Sequence, residues 1–256
     1  MPVVNLFDLS GRRALVTGAS RGIGYAIATA LAAAGAHIVI NGRDSTTLNE
    51  SAERLRATGA RIAVSAFDVT DPSQVNASVE AIESEIGPID VLVNNAGIQR
   101  RAPLEEFTDA DWRDVMACNL DSVFYVSRAV ARHMIARGRG KIINIGSVQC
   151  ELARPTIAPY TASKGAVKNL TRGMCADWAK HGLQINAIGP GYFDTPLNKA
   201  LVENPEFDGW LRKRTPAGRW GRLEDLHGAA VFLASGASDF VNGQVLYVDG
   251  GILAVI

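Results

Sequence analysis

The chain has 256 residues, and its 26 Lys and Arg balance 26 Asp and Glu to a formal net charge of zero. That length suits one α/β domain with a substantial core, and without a basic stripe or charge run a nucleic-acid or anionic-membrane surface is not expected. No apolar run nears the roughly 20 residues of a spanning helix, the start M-P-V-V-N-L-F-D lacks a secretion signal, and 3 Cys and 4 scattered His outline neither disulfides nor a metal site. A cytoplasmic protein with no bound metal is expected. From the N-terminus, residues 12–18 (R-R-A-L-V-T-G) read as a buried strand, and the Ala-rich run 22–34 as a helix ending at Gly35. Strand signals recur at 36–41, 61–67, 89–94, 140–147, 183–189 and 245–249. Helix signals fill the gaps at 45–58, 72–86, 109–137, 159–181 and 223–234. This alternation, unbroken by a linker, predicts a single-domain, doubly wound α/β Rossmann fold over 1–256. Its seven-stranded parallel sheet has the order 3-2-1-4-5-6-7, with helices on both faces. Ligands of such sheets lie beyond the carboxyl ends of the strands. That edge holds Gly18, Asp68, Asn94 to Gly97, Ser147 and Gly189 to Gly191.

The first strand runs into glycines at 18, 22 and 24, and then into a helix. Gly18 permits a tight turn, Gly22 lets the chain approach a pyrophosphate, and Gly24 lets helix and sheet pack closely. The helix N-terminus offers free N–H groups and partial positive charge to the phosphates. The spacing is G-x-x-x-G-x-G rather than G-x-G-x-x-G, so the context of strand, turn and helix identifies the dinucleotide site. At the tip of the second strand, an NAD site usually places a carboxylate against the ribose. Here the tip is Asn41-Gly42-Arg43, with Asp44 one step into the next helix and Arg21 within the glycine turn. Guanidinium groups grip phosphates through paired charged bonds, so NADP(H) is expected; NAD would require Asp44 to turn inward.

Tyr160 and Lys164 are four apart in A-P-Y-T-A-S-K-G, thirteen residues after Ser147. On a helix they share one face. A phenol of pKa about 10 is only about 0.1% ionised at neutral pH. A cation about 4 Å away, at a dielectric near 20, is worth roughly 4 kcal/mol and lowers that pKa by up to about three units. The spacing thus predicts proton transfer at a hydroxyl.

Together with N-N-A-G (94–97), Asn119, P-G-Y-F-D-T (190–195) and V-D-G-G (248–251), these motifs resemble the short-chain dehydrogenase/reductase family over almost the whole chain. The resemblance implies Tyr160 as general acid/base, Ser147 polarising the reacting oxygen, Lys164 binding the nicotinamide ribose, and Asn119 holding a proton-relay water. It implies cofactor contacts from Gly18, Ser20, Arg21, Gly22, Ile23, Gly24, Asn41, Arg43, Asp68, Val69, Asn95, Ala96, Gly97, Pro190, Gly191 and Thr195. Two departures are Gly189, where Ala is usual, and Gly146, where Ser is common before the active serine.

Segments 94–107, 147–155, 213–221 and 237–245 are similar to the branch of the family that interconverts D-gluconate and 5-dehydro-D-gluconate. A sugar acid is a small anion bearing hydroxyls. Arg101, at the predicted mouth, is expected to bind its carboxylate, and Gln149 to donate and accept. Tyr192 would join them, with 192–220 as a lid. The alternatives are a 3-oxoacyl-carrier-protein reductase docking an acidic carrier through R-K-R (212–214), another sugar or polyol dehydrogenase, or a non-catalytic NADP sensor. The family implies a homotetramer, and the apolar Val115, Val123, Phe124, Val126, Val130 and Met134 fit burial against a partner.

Overall fold

Short runs such as A-L-V (14–16) and I-V-I (38–40) can bury side chains on both faces only in a covered sheet, and they do. The computed structural model describes residues 3–256. In chain order the elements are β1 (Arg13–Val16), α1 (Gly22–Ala33), β2 (His37–Gly42), α2 (Ser45–Arg56), β3 (Ile62–Ala66), α3 (Pro72–Ala81) and β4 (Val91–Asn94). There follow α4 (Asp109–Met116), α5 (Ser122–Arg137), β5 (Gly140–Ile145), α6 (Ala158–Trp178) and β6 (Leu183–Pro190). The chain closes with α7 (Lys199–Val202), α8 (Pro205–Arg214), α9 (His227–Ala234) and β7 (Val245–Val248). All seven strands are parallel, in the expected order 3-2-1-4-5-6-7.

Alternate strand residues supply two cores. Ala14, Val16, Ile38 and Ile40 pack with Ile27 and Leu31 of α1, Leu48 of α2 and Leu233 of α9. Leu15, Val39 and Leu92 face the opposite layer of Val75 and Val79 from α3, Val126 and Val130 from α5, and Val167 and Met174 from α6. Asp71 caps α3 by accepting from Ser73 N and Gln74 N, with Pro72 in the first turn where its missing N–H costs nothing. Gly138 (φ 67°) closes α5 in the left-handed conformation.

Three features differ from the sequence expectation. The helix expected at 109–137 is interrupted by a π turn at Ala117–Asp121, and the one at 72–86 loosens into a π turn at Ile82–Ile86. Segment 192–220 contains two helices, α7 and α8, packed around Leu201, Leu211 and Trp220. Five of the six residues read as partner-facing (Val115, Val123, Val126, Val130 and Met134) are buried within the monomer; Phe124 alone stays exposed. Among the described residues no helix is long and apolar enough to cross a membrane.

Candidate active site

The carboxyl ends of the strands open onto one cleft of about 760 Å³, within the range of small-molecule sites. It is lined by Gly18, Ser20, Arg21, Gly22, Ile23, Asn41, Arg43, Asp68, Val69, Asn95, Ala96 and Gly97 on one part. Ser147, Gln149, Tyr160, Lys164, Pro190, Gly191, Tyr192 and Thr195 line the rest. Of the expected site residues, Gly24, Asn119 and Arg101 are outside the lining.

The glycine turn is a rigid cradle. Gly18 and Gly22 are left-handed (φ 61° and 60°), a conformation costly for other residues. A side chain on Gly22 would meet nothing within 4 Å, whereas one on Gly18 would lie 2.9 Å from Ala96 Cα. Gly24 works from beneath, since a Cβ there would strike Asn95 and sit 2.5 Å from Gly18 O. Asn95 is the bracket rather than an exposed ligand: its Nδ2 donates to Thr17 O (2.9 Å) and Gly18 O (3.0 Å). Thr17 Oγ1 accepts from the N–H groups of Asn95 and Ala96 at 3.0 and 3.1 Å. Sequence reading gave Thr17 no role, and only its place before Gly18 hints at one.

At the tip of β2, Asn41 points into the protein, its Nδ2 donating to Ser65 O and Phe67 O at 3.2 and 3.0 Å. Its amide is therefore occupied by the sheet, although the residue still lines the cleft. Asp44 does not turn inward: it caps α2 by accepting from Thr47 N at 2.7 Å. That bond is the main reason the Asp44 carboxyl pKa is lowered. Arg43 is left largely free, with only a loose 3.9 Å approach to Asp68, and Arg21 lines the same region.

Tyr160 and Lys164 share the first turns of α6, with Lys164 Nζ 5.7 Å from the ring centroid. The side chains meet as the spacing predicts, but the pKa shift expected from the pair is corrected. Burial pushes the Tyr160 phenol up to about 12, against the pull of a hydrogen bond with Ser147. The same burial brings Lys164 down to about 8. The ammonium is directed to Ile145 O at 2.6 Å rather than to the phenol, and desolvation, which disfavours the charged form of each group, is the largest cause of both shifts. Ser147 reaches this point from the end of β5, where its Oγ accepts from Gln149 N and starts the turn 148–150.

Asn119 is wholly buried in the π turn. Its Oδ1 accepts from Ile98 N (2.8 Å), and its Nδ2 donates to Ile98 O (3.0 Å) and Ser163 Oγ (3.1 Å). It thereby ties the strand-4 loop to α6. Gly189 also has a structural reason: a Cβ there would lie 2.5 Å from Tyr247 Cε1. Tyr247 uses its hydroxyl to donate to Glu151 at 2.6 Å, just after the turn that carries Gln149.

At the substrate end, Arg101, expected to reach the substrate, lies outside the lining. Its Nε donates to Gln99 Oε1 at 3.0 Å. Burial, then the charge of Arg154, lowers its pKa. Arg154 takes the inner place and lines the cleft; its signal in the sequence was only a cation after the active-serine turn. Arg100 also lines it but is held by Asp111 and Asp114, both at 3.2 Å. Tyr192 belongs to an aromatic box with Phe207, Trp210 and Trp220 at centroid distances of 5.7, 6.3 and 6.1 Å.

The family model described as enoyl-(acyl carrier protein) reductase matches residues 18–253. Gluconate 5-dehydrogenase of Gluconobacter oxydans (strain 621H) is 63% identical over 248 residues, 97% of either chain. The 5-keto-D-gluconate 5-reductase of Escherichia coli (strain K12) is 54% identical over 252 residues, 98% of this chain and 99% of that one. The crystal structure of a gluconate 5-dehydrogenase from Burkholderia cenocepacia J2315, in complex with NADP and tartrate, matches with a TM-score of 0.97 and 59% identity, over 99% of each chain.

Proposed function

This chain belongs to the short-chain dehydrogenase/reductase family, and from that premise we propose that it is an NADP(H)-dependent oxidoreductase that reversibly interconverts D-gluconate and 5-dehydro-D-gluconate. The observation that carries the reading is a single cleft holding three things: a glycine cradle, Ser147 from the end of β5 beside Tyr160 on the helix of Lys164, and an end lined by arginine. Relatives whose names state this activity, and a neighbour with NADP bound, support it.

The residues fit the cofactor. The cradle at Gly18 and Gly22 leaves room and N–H groups for a pyrophosphate. Arg43 and Arg21 would grip a 2′-phosphate, with Asp44 turned away to its cap. Asp68 and Val69 would flank the adenine, and Lys164 would hold the nicotinamide ribose. Pro190, Gly191 and Thr195 would border the nicotinamide. The bound nicotinamide supplies or takes up the hydride.

The protein moves the proton. Tyr160 gives it to the carbonyl oxygen in reduction and takes it from the carbinol in oxidation, while Ser147 donates a hydrogen bond to the same oxygen. Asn119 positions the elements on either side of Lys164; because its amide is fully engaged, a relay water there would bond to backbone groups of the π turn. Gln149 and Tyr192 would take substrate hydroxyls, and 192–220 would serve as the lid. Tyr160→Phe is expected to bind NADPH with unchanged affinity and to lose kcat by about 10³-fold or more, read from nicotinamide absorbance. A kcat within a few-fold of wild type would end the mechanism.

A carrier-protein reductase is less well supported. Of the R-K-R stretch, Arg212 is paired with Asp208 at 2.8 Å and Arg214 donates to Val255 O at 3.0 Å. A sensor without turnover would not need the Ser147–Tyr160 contact. We place the enzyme in the cytoplasm as a homotetramer; the exposed Phe124, Phe240 and Ile256 support an interface, and light scattering after size exclusion tests it.

A further inference from the structure

Three segments meet beside Tyr160 and contribute Gln149, Arg154 and Tyr192 to the cleft. Gln149 is only 5% exposed. Its Nε2 donates to Tyr192 Oη at 3.4 Å, but its buried Oε1 has no partner in the protein. Buried acceptors are nearly always satisfied, so this one calls for a donor from the cleft. Arg154 is half-buried, its guanidinium 5.7 Å from the Phe207 ring centroid. Burial raises the Tyr192 phenol pKa, and the charge of Arg154 lies near enough to pull against that rise. Among the described residues no ion pair includes Arg154 or Arg101. The loop that presents Arg154 is held under strain. Thr156 is β-branched yet left-handed (φ 71°), and its C=O accepts from Ala102 N at 3.2 Å, next to Arg101.

We propose that Arg154 determines the preference for an acid: its guanidinium seats the substrate carboxylate while Gln149 Oε1 accepts from a hydroxyl of the same molecule. Arg101 stands behind it and adds positive charge without contact. The inference rests on the sugar-acid reading above and names the side chain by which that site separates an acid from a neutral polyol. A cation in the cleft without a carboxylate partner, beside an unanswered acceptor and the reacting phenol, is the pattern that a hydroxy acid completes.

The test compares D-gluconate with D-glucitol, which carries CH₂OH in place of the carboxylate, using purified full-length enzyme and NADP. Arg154→Gln is expected to lower kcat/KM for D-gluconate by about 10- to 100-fold, mostly through KM, while D-glucitol changes by less than about threefold. Arg154→Lys, which keeps charge but not the fork, is expected to fall between. Arg101→Gln is expected to have a smaller effect that fades with salt. If D-glucitol turns over too slowly to follow, its Ki against D-gluconate supplies the same comparison. Equal losses for the two substrates, or a larger effect at Arg101, would overturn the assignment. NADPH affinity and melting temperature check the fold, and if Arg154→Gln does not fold, Arg154→Lys decides on the same two substrates. A wild-type enzyme inactive on D-gluconate would remove the functional reading and this inference together. An active wild type with an indifferent Arg154→Gln would remove the inference alone.

Discussion

Replacing Arg43 by Ala isolates the cofactor choice. Arg43 is 73% exposed and its one carboxylate neighbour is 3.9 Å away, so its loss should leave stability within about 1 kcal/mol of wild type. A hydrogen-bonded contact to a charged group is typically worth about 1.5–3 kcal/mol. Exposure and salt screening favour the lower half of that range. At about 1.5–2 kcal/mol, kcat/KM for NADPH should drop by about 10- to 30-fold. NADH, which carries no 2′-phosphate, should change less than about threefold. The assay is initial rates of 5-dehydro-D-gluconate reduction with each cofactor, across a salt series that should shrink the NADPH effect. Equal losses for both cofactors would mean that Arg43 merely shapes the loop, and a wild-type preference for NADH would refute the phosphate reading. Asp44 offers no rescue for NADH, because it is held by the N-cap of α2.

Two other perturbations follow from burial and packing. Lys164 titrates near 8 in the fold against about 10.5 when unfolded, so the unfolded chain binds more protons between those values and stability from this group rises with pH through that window. Cofactor-free wild type should therefore gain on the order of 2 kcal/mol over Lys164→Met from pH 8 to 10, read from urea midpoints; a flat difference would refute it. Above about 10, Tyr160, with its folded pKa raised to about 12, works in the opposite direction. Gly189→Ala would press a methyl group into the Tyr247 ring, at a cost of about 1–3 kcal/mol. Adding Tyr247→Val should recover most of that loss, and simple additivity of the two changes would contradict the contact.

The fold was legible because its signals are local. Alternating apolar runs and glycine punctuation mark each β–α unit, and a parallel sheet follows from the alternation. The cleft was legible for a related reason: strand ends carry their own residue types, and nearly all of those named line it. What escaped depends on side-chain direction. Asn41 and Arg43 are neighbours at one tip, yet one amide turns into the sheet and the other side chain turns to solvent. In sequence Arg101 is the cation at the predicted mouth and Arg154 is not singled out, because only the three-dimensional path of the two loops puts Arg154 in the cleft lining and Arg101 outside it. The π turn at Ala117–Asp121 leaves no mark in composition, and one extra residue within a single turn shifts the apolar stripe too briefly for helical periodicity to reveal it.

The tyrosine and lysine of α6 hold the more general lesson. Helical spacing fixes the distance between two groups but not their charge, and a Coulomb argument that assumes a full cation describes only half of the balance. When both groups leave water, each pays for its own ionisation first, and here the ammonium finds its partner in Ile145 O. The outcome is a phenol that keeps its proton at neutral pH beside a lysine close to losing one. Proton donation to a carbonyl oxygen then starts from the abundant form of Tyr160, whereas proton removal from a carbinol starts from a rare one. In the cofactor-free site the phenol is thus held in its proton-donating form, and its service as a base demands that its pKa come down. Positive charge near Tyr160 works in that direction, and Arg154 already contributes some of it.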